Sequence, residues 1–270
     1  MLIVGCGDVG QRVARRLLPR VRVLALVRSP ERASALRGLG VHPLAGDLDD
    51  AASLHRLAGL ATRVLHLAPP EGDVPLDGRT HALAAALMRR SAPAALVYGS
   101  TSGVYGDCAG AWVDECRPPA PRTVRASARL NAERHLRALG RTNGTRVSIL
   151  RIAAIHAPDR VATDRQPAAL ALIPAEDVFT NRIDADDLAR ACLLALWRGK
   201  SQRICNASDG QPLKMGDWLD RLADQRGQPH PTRITRAEAV SRMSPQRLSF
   251  MGESRRLLNR RLVQELRLSL

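Results

Sequence analysis

The sequence feature that most constrains the fold is a glycine-rich turn between a predicted strand and a predicted helix. Residues 5–10 read Gly-Cys-Gly-Asp-Val-Gly, with an apolar run at 1–4 before them and an amphipathic stretch at 8–18 after them. Glycines with this spacing are typical of a dinucleotide-binding turn when they join a strand to a helix. A glycine-rich turn without a ligand is the alternative interpretation, but the position favours a dinucleotide site.

Each glycine has a separate task in such a turn. Gly5 permits the tight turn, Gly7 lets the backbone approach a pyrophosphate, and Gly10 lets the helix pack closely on the strand. The pyrophosphate would lie on the first helical residues, Asp8 and Val9, because free N–H groups and the helix dipole favour an anion there.

The first half of the chain alternates short apolar runs with amphipathic stretches, which is typical of a parallel sheet flanked by helices. Further strands are predicted at 21–27, 41–44, 63–67, 94–99 and 146–152, and helices at 31–39, 50–60, 79–90 and 124–139. Beyond about residue 155 we predict a helix at 185–196, a strand at 203–206, a helix at 214–225 and an arginine-rich closing helix at 252–266. The fold class is therefore α/β, with a Rossmann-type doubly wound parallel sheet over 1–155 and a smaller lobe over 156–270 interleaved with it.

Residues after the second, third and fourth strands predict the rest of the cofactor site. Arg28 stands where a carboxylate would select NAD, and an arginine there pairs with the 2′-phosphate of NADP instead. NADP(H) is favoured, with NAD as the alternative because Arg28 is one of many arginines. Asp47 would reach the adenine, unless it only caps a helix. The cofactor's path would be lined by Ala68, Pro69 and Pro70.

A net charge of +15 at first suggests a nucleic-acid partner. Of the 41 basic residues, however, only Lys200 and Lys214 are lysine, and the arginines are spread along the chain, as a GC-rich genome would supply. Single strands are bound by aromatic platforms, and only 3% of the residues are aromatic. We predict a nonspecific affinity for polyanions but no specific nucleic-acid partner.

Other features exclude a membrane span, a secreted disulfide scaffold and a metal site. No apolar run approaches the ~18 residues that a membrane helix needs. Glycines at 5 and 7 interrupt the opening apolar run, so we expect no signal peptide, although the short first strand suggests a true start further upstream. The five cysteines form no CxxC pair, and the histidines and cysteines lack the spacing of metal ligands. A cytoplasmic protein without a metal is expected.

Five segments in the right order resemble one family. Residues 97–107 read VYGSTSGVYGD and are similar to the "SSTSVYGD" segment of extended short-chain dehydrogenases/reductases, the NAD(P)-dependent epimerase/dehydratase group. The other four read WVDE at 112–115, LRIAAI at 150–155, NRIDADDLA at 181–189 and CNASD at 205–209. The resemblance runs along almost the whole chain, and it implies that the smaller lobe binds the substrate.

The resemblance also implies a catalytic set of Ser/Thr, Tyr and Lys. In that family the Tyr is the general acid/base, the Lys lowers its pKa and holds the nicotinamide ribose, and the Ser/Thr hydrogen-bonds the reacting carbonyl. Thr101 occupies the Ser/Thr position, and the neighbouring Ser100 is assigned to the cofactor site.

The family's YxxxK motif is replaced. Glu133 keeps the register, so Arg125 occupies the Tyr position and Arg129 the Lys position. A guanidinium with a pKa above ~12 cannot shuttle protons near neutral pH. Arg129 could still supply a cation to a ribose hydroxyl or a phosphate. Tyr105 is the best remaining candidate for moving a proton, with a packing role in its loop as the alternative.

A second departure lies at 156–160, where HAPDR stands in place of the family's YGPGR. His156 is a candidate proton donor there, or an ordinary packed or solvated side chain.

Two functions follow from these residues. The first is an atypical NAD(P)-binding oxidoreductase or epimerase acting on a small polar molecule, sugar-type by analogy, through its carbonyl or hydroxyl group. The alternative is a dinucleotide-binding sensor or regulatory module without catalysis, which the missing Tyr and Lys favour. The assembly is left open, with a homodimer as one option.

Overall fold

The computed structural model describes residues 1–18, 20–72, 74–157 and 170–270, and its centre is a seven-stranded parallel sheet. The strands are β1 (Leu2–Val4), β2 (Leu24–Val27), β3 (His42–Ala45), β4 (Arg63–His66), β5 (Ala95–Thr101), β6 (Trp112–Val113), β7 (Arg146–Ile152), β8 (Ala154–His156), β9 (Leu170–Leu172), β10 (Phe179–Thr180), β11 (Arg182–Asp184), β12 (Arg203–Ala207), β13 (Leu213–Lys214), β14 (Thr232–Ile234) and β15 (Arg256–Leu257). The central sheet has the order β12-β7-β5-β4-β1-β2-β3.

Helices cover both faces of this sheet. The helices are α1 (Asp8–Leu17), α2 (Pro30–Gly38), α3 (Gly78–Leu87), α4 (Val124–Asn143), α5 (Ala185–Arg198), α6 (Met215–Arg226), α7 (Arg236–Arg242), α8 (Pro245–Phe250) and α9 (Arg260–Gln264). In α4, the Thr123 hydroxyl accepts a hydrogen bond from Ala126 N (3.2 Å), and Gly144 ends the helix in the left-handed conformation. No helix in the described ranges is both long and apolar enough to cross a membrane.

Alternate residues of the short strands pack into two separate hydrophobic cores, one on each face of the sheet. Ile3 of β1 packs with α1, α2 and α5 on one face of the sheet, whereas Leu2 and Val4 pack with α3 and α4 on the other. Because both faces are covered, β1 and β2 are apolar throughout instead of alternating with polar residues. The predicted Rossmann-type doubly wound sheet is confirmed.

The chain beyond residue 155 supplies both a small lobe and an edge of the central sheet. Four two-stranded pairs, β8–β11, β9–β14, β10–β13 and β6–β15, build the lobe and its connections, while β12 returns to pair with β7.

Two sequence predictions about helices were wrong. The segment at 50–60 forms only a 3-10 helix over Ala51–Leu57. The predicted closing helix at 252–266 contains an extended stretch with β15, followed by the short α9. The backbone N–H groups of this extended stretch find hydrogen-bond acceptors in distant segments. Arg256 N donates to Ala111 O (2.9 Å), and Leu257 N donates to Asn181 Oδ1 (2.7 Å).

Candidate cofactor and substrate site

The glycine turn connects β1 to α1 at the carboxyl edge of the sheet. Gly5 has φ +84°, and a Cβ there would lie 2.3 Å from Ala68 N, so only glycine fits. A Cβ on Gly10 would lie 3.2 Å from Gly5 O, so the absence of a side chain at Gly10 lets the helix pack closely on the turn. Gly7 is different, since a Cβ there would meet no atom within 4 Å. This open side of the turn fits a pyrophosphate.

A cavity of about 410 Å³ extends from the glycine turn across the carboxyl ends of β1, β2 and β4. Of the predicted cofactor residues it is lined by Gly5, Gly7, Arg28, Asp47, Ala68 and Pro69. Pro70 is buried beside the cavity rather than lining it, and Val9 and Gly10 are buried beneath the turn. The Asp8 carboxylate accepts a hydrogen bond from Arg12 Nε (3.2 Å) within α1.

Basic side chains surround the end of this cavity at β2. Arg28 is exposed, and Arg32, which the sequence analysis missed, lines the same space. Arg32 Nη2 donates to Cys6 O (2.8 Å), so its guanidinium is tied to the glycine turn. Burial raises the pKa of the Cys6 thiol to about 11, which leaves it protonated and unreactive at neutral pH.

A second cavity of about 920 Å³ lies between the carboxyl ends of β5 and β7 and the small lobe. Thr101, the last residue of β5, lines it together with Arg125 at the start of α4. The Thr101 hydroxyl accepts a hydrogen bond from Gly103 N (3.1 Å). Arg125 is exposed, and its guanidinium lies 5.8 Å from the ring centroid of Phe250. The two predicted positions are therefore brought together in one cavity.

Arg129 lies one helical turn after Arg125 and connects two strand ends. Its Nη1 atom donates to Gly99 O (2.6 Å), to Ala68 O (3.2 Å) and to the Tyr98 hydroxyl (3.2 Å). Because these acceptors belong to β5 and to the segment after β4, the guanidinium holds the protein's own backbone.

Glu133 anchors the same helix through a buried ion pair. Its carboxylate lies 2.8 Å from Arg151 Nη2, with 2% and 3% of the two side chains exposed, and it accepts a hydrogen bond from Ser100 Oγ (2.5 Å). The pair raises the pKa of the Arg151 guanidinium. Ser100, predicted to bind the cofactor, therefore points into the protein and lines neither cavity.

Tyr105 is buried and bonded elsewhere. Only 1% of its surface is exposed, its hydroxyl donates to Asn206 Oδ1 (2.8 Å), and burial raises its pKa to about 12. The described residues that line the larger cavity do not include Tyr105. This placement weighs against proton transfer by Tyr105 and fits the packing alternative.

A buried polar cluster, which sequence reasoning missed, lies beneath the cofactor cavity. His66 Nε2 is 2.8 Å from the Thr80 hydroxyl, which donates to Asp77 Oδ2 (2.7 Å), and the Tyr98 hydroxyl lies 3.4 Å from the same carboxylate oxygen. Burial lowers the pKa of His66 to about 4. His66 is therefore neutral near pH 7.

The small lobe contributes a second missed arginine. Arg182 lines the larger cavity, and its guanidinium lies 3.9 Å from the ring centroid of Trp218. His156 also packs on Trp218, with ring centroids 5.3 Å apart, while residues 158–160 of the same sequence segment lie outside the described residues. Across the described ranges, no three His, Cys, Asp or Glu side chains are grouped to hold a metal ion.

Comparisons with known proteins agree with this architecture. A conserved protein of unknown function from Silicibacter pomeroyi has a TM-score of 0.81 and 26% identity, with 100% of this chain and 92% of that chain covered. A UDP-glucose 4-epimerase from Thermus thermophilus, solved in complex with NAD, has a TM-score of 0.76 and 21% identity, with 99% and 96% covered.

A dTDP-glucose 4,6-dehydratase from Streptomyces venezuelae, solved with NAD bound, has a TM-score of 0.78 and 21% identity, with 100% and 91% covered. No match was found among curated protein sequences. The model of the NAD dependent epimerase/dehydratase family matches residues 1–208. Since this match spans most of the chain, the protein belongs to the NAD dependent epimerase/dehydratase family.

Proposed function

We propose that this protein is an NAD(P)-dependent oxidoreductase of the epimerase/dehydratase type, acting on the carbonyl or hydroxyl group of a small polar, sugar-type molecule. The observation that carries the proposal is the contact of Arg129 with both strand ends. Ala68, one of its acceptors, lines the smaller cavity, and Gly99, another, lies two residues before Thr101 in the larger one. Cofactor and substrate spaces therefore adjoin along one sheet edge.

The nicotinamide dinucleotide, when bound, supplies hydride chemistry, and the protein supplies position and charge. The glycine turn would hold the pyrophosphate at Gly7, where a Cβ would meet no protein atom. The Thr101 hydroxyl donates a hydrogen bond to the reacting carbonyl oxygen, and the Arg125 guanidinium stabilises negative charge that develops there. Because neither group takes up a proton near neutral pH, the proton is exchanged with solvent through the open cavity.

NADP(H) is the proposed cofactor. Arg28 and Arg32 line the cavity beside the end of β2, where a 2′-phosphate would lie. The test is a fluorescence titration of wild-type, Arg28→Asp and Arg37→Asp proteins with NADPH and NADH. Arg37 is an exposed arginine of α2 that does not line the cavity, so it controls for net charge. Arg28→Asp should weaken NADPH binding about tenfold or more while NADH changes little.

The reaction itself is tested by following NADPH oxidation with a panel of small carbonyl compounds. Wild-type protein should turn over at least one of them, and Thr101→Val should lose that turnover while its affinity for NADPH stays the same. An equal effect of Arg28→Asp on both nucleotides would refute NADP(H) preference. If neither NADPH nor NADH binds, the proposed function is refuted altogether.

A non-catalytic dinucleotide sensor is the second candidate. The burial of Tyr105 and the engagement of Arg129 by backbone carbonyls favour it, because no phenol lines the described part of the larger cavity. Tight nucleotide binding without hydride transfer to any compound, and with no effect of Thr101→Val, would support the sensor.

A further inference from the structure

The described lining of the larger cavity has an unbalanced charge. Among the described residues, the charged ones that line it are four arginines, Arg125, Arg182, Arg247 and Arg255, and one carboxylate, Glu253. Arg255 Nη1 lies 2.7 Å from Glu253 Oε2, so this pair is neutral. Arg247 Nη2 donates to the backbone oxygen of Leu170 (3.1 Å), which satisfies a hydrogen bond but not the charge. Three positive charges remain on this described lining.

Arg125 and Arg182 contact aromatic rings instead of acids. In the part of the chain that the structure describes, no carboxylate lies within 4 Å of either guanidinium. Arg125 lies over Phe250 and Arg182 over Trp218. Cation–π contacts of this kind hold the direction of a guanidinium and leave its N–H groups available to a ligand.

Arg182 is the more buried of the two. Its Nε atom is inaccessible to solvent and has no hydrogen-bond partner among the described residues. Burial lowers the pKa of its guanidinium to about 10, and the nearby Asp209 only partly opposes this. A half-buried cation that a nearby carboxylate compensates only partly is costly, and a bound anion would reduce the cost.

Arg125 is close to the reacting group, because Thr101 and the start of α4 meet at Gly103. A Cβ built on Gly103 would lie 3.4 Å from Thr101 Oγ1 and 3.7 Å from Ala126 Cβ, and Ala126 directly follows Arg125. The residue that replaces the family's Tyr is thus a cation that lines the same cavity as Thr101.

We propose that the larger cavity binds its substrate through an oxyanion held by Arg125 and Arg182. The substrate is therefore an acid. Its carboxylate or phosphate group is attached next to the carbon whose oxygen is hydrogen-bonded by Thr101. This inference rests on the proposed function for the role of Thr101. A guanidinium binds either oxyanion in a planar, two-pronged geometry.

The test is calorimetric titration of the full chain with malonate and, separately, inorganic phosphate, at constant ionic strength, with and without NADP⁺. Malonate represents a carboxylate and phosphate a phosphoryl group, and the tighter binder identifies the class. Arg125→Gln and Arg182→Gln should each weaken the tighter anion about tenfold or more, and Arg125→Lys should recover part of that loss.

Two controls separate this cavity from the rest of the protein. Bound NADP⁺ fills the phosphate-binding cofactor cavity, so the anion affinity of the larger cavity is taken from the titration with NADP⁺. Arg134→Gln removes an exposed arginine of the same helix outside the cavity and should leave that affinity within about twofold of wild type, and Arg125→Gln should leave NADPH affinity within the same limit.

The inference is overturned if neither anion binds the wild type at up to about 10 mM, or if Arg125→Gln binds as tightly as the wild type. Arg125 is exposed, so its variant keeps the test valid even if Arg182→Gln does not fold. Anion binding without any binding of NADPH or NADH would refute the proposed function while leaving the anion site intact.

Discussion

The glycine turn and the start of α4 lie on the same carboxyl edge of the sheet but depend on the sequence differently. The turn works through its backbone, since Gly5 needs a positive φ and Gly7 leaves open space for a ligand. At the start of α4 the backbone frame is kept while the side chains differ from the family's pattern, with Arg125 and Arg129 in place of Tyr and Lys. Binding geometry and catalytic chemistry can therefore change independently in one fold.

The two regions also differ in the charge of the buried groups that support them. A neutral His66 lies below the cofactor cavity, whereas the charged Glu133–Arg151 pair fixes α4 to the sheet. Perturbations of each should therefore differ in size and in their dependence on pH.

The largest effect is expected from Glu133→Gln. Removing this carboxylate leaves the Arg151 guanidinium buried without its anion, so the free energy of unfolding should fall by about 3–5 kcal/mol in a urea titration. Asp187→Asn is the control, because its ion pair with Arg190 is partly exposed and should contribute no more than about 1 kcal/mol. Equal losses in the two variants would show that the buried pair does not hold α4.

The second largest effect is expected from Gly5→Ala. Its free energy of unfolding should fall by about 2–4 kcal/mol because of the positive φ and the close approach to Ala68 N. Gly7→Ala should keep its stability within about 0.5 kcal/mol yet bind dinucleotide more weakly, since its methyl group would occupy only the ligand's space. Thermal unfolding and NADPH titration distinguish the two outcomes. A stable Gly5→Ala protein would contradict the backbone argument.

The third largest effect is expected from lowering the pH, which should decrease the free energy of unfolding through His66, beneath the cofactor cavity. Folding lowers the pKa of His66 from 6.5 to about 4, so the unfolded chain takes up a proton first as the pH falls. The contribution of neutral His66 is complete above pH 6.5 and is lost toward pH 4, by roughly 3 kcal/mol. Urea unfolding of wild type and His66→Gln over this range is the measurement. If the two proteins lose stability in parallel, His66 is not the titrating group.

Arg129→Ala should have the smallest effect of the series. Arg129 is half-buried, and its three hydrogen bonds go to two backbone oxygens and one hydroxyl, so about 1–2 kcal/mol of stability should be lost. NADPH affinity should fall a few fold, because Ala68 loses its support beside the cofactor cavity. Arg129→Lys should recover part of both losses, and an unchanged NADPH affinity in Arg129→Ala would remove the proposed link between the cavities.

Local patterns were sufficient to predict the sheet. Apolar strands such as β1 and β5 are buried on both faces, so the positions of the six central-sheet strands through residue 152 follow from the sequence. The segment at 252–266 could not be predicted in this way, because its partners, Ala111, Val113 and Asn181, lie far away in the chain. An arginine-rich stretch has good helix propensity, and tertiary hydrogen bonds override it.

The candidate site could be predicted only partly for the same reason. The spacing from Glu133 assigned Arg125 and Arg129 to their positions on α4, because one helix determines that register. Whether a side chain faces a cavity depends on contacts between distant segments. Ser100 is directed inward by Glu133, and Arg182 is brought to Thr101's cavity by the pairing of β11 with β8. No local pattern carries that information.

The extended stretch around β15 has a consequence for the order in which the protein is made. Ser254 O accepts hydrogen bonds from Cys108 N and Gly110 N, and Leu258 N donates to Val113 O. The loop at 106–113 belongs to the first half of the chain, yet these bonds cannot form until residues 254–258 have emerged from the ribosome. A nascent chain can therefore assemble its glycine turn well before the wall of the larger cavity is complete.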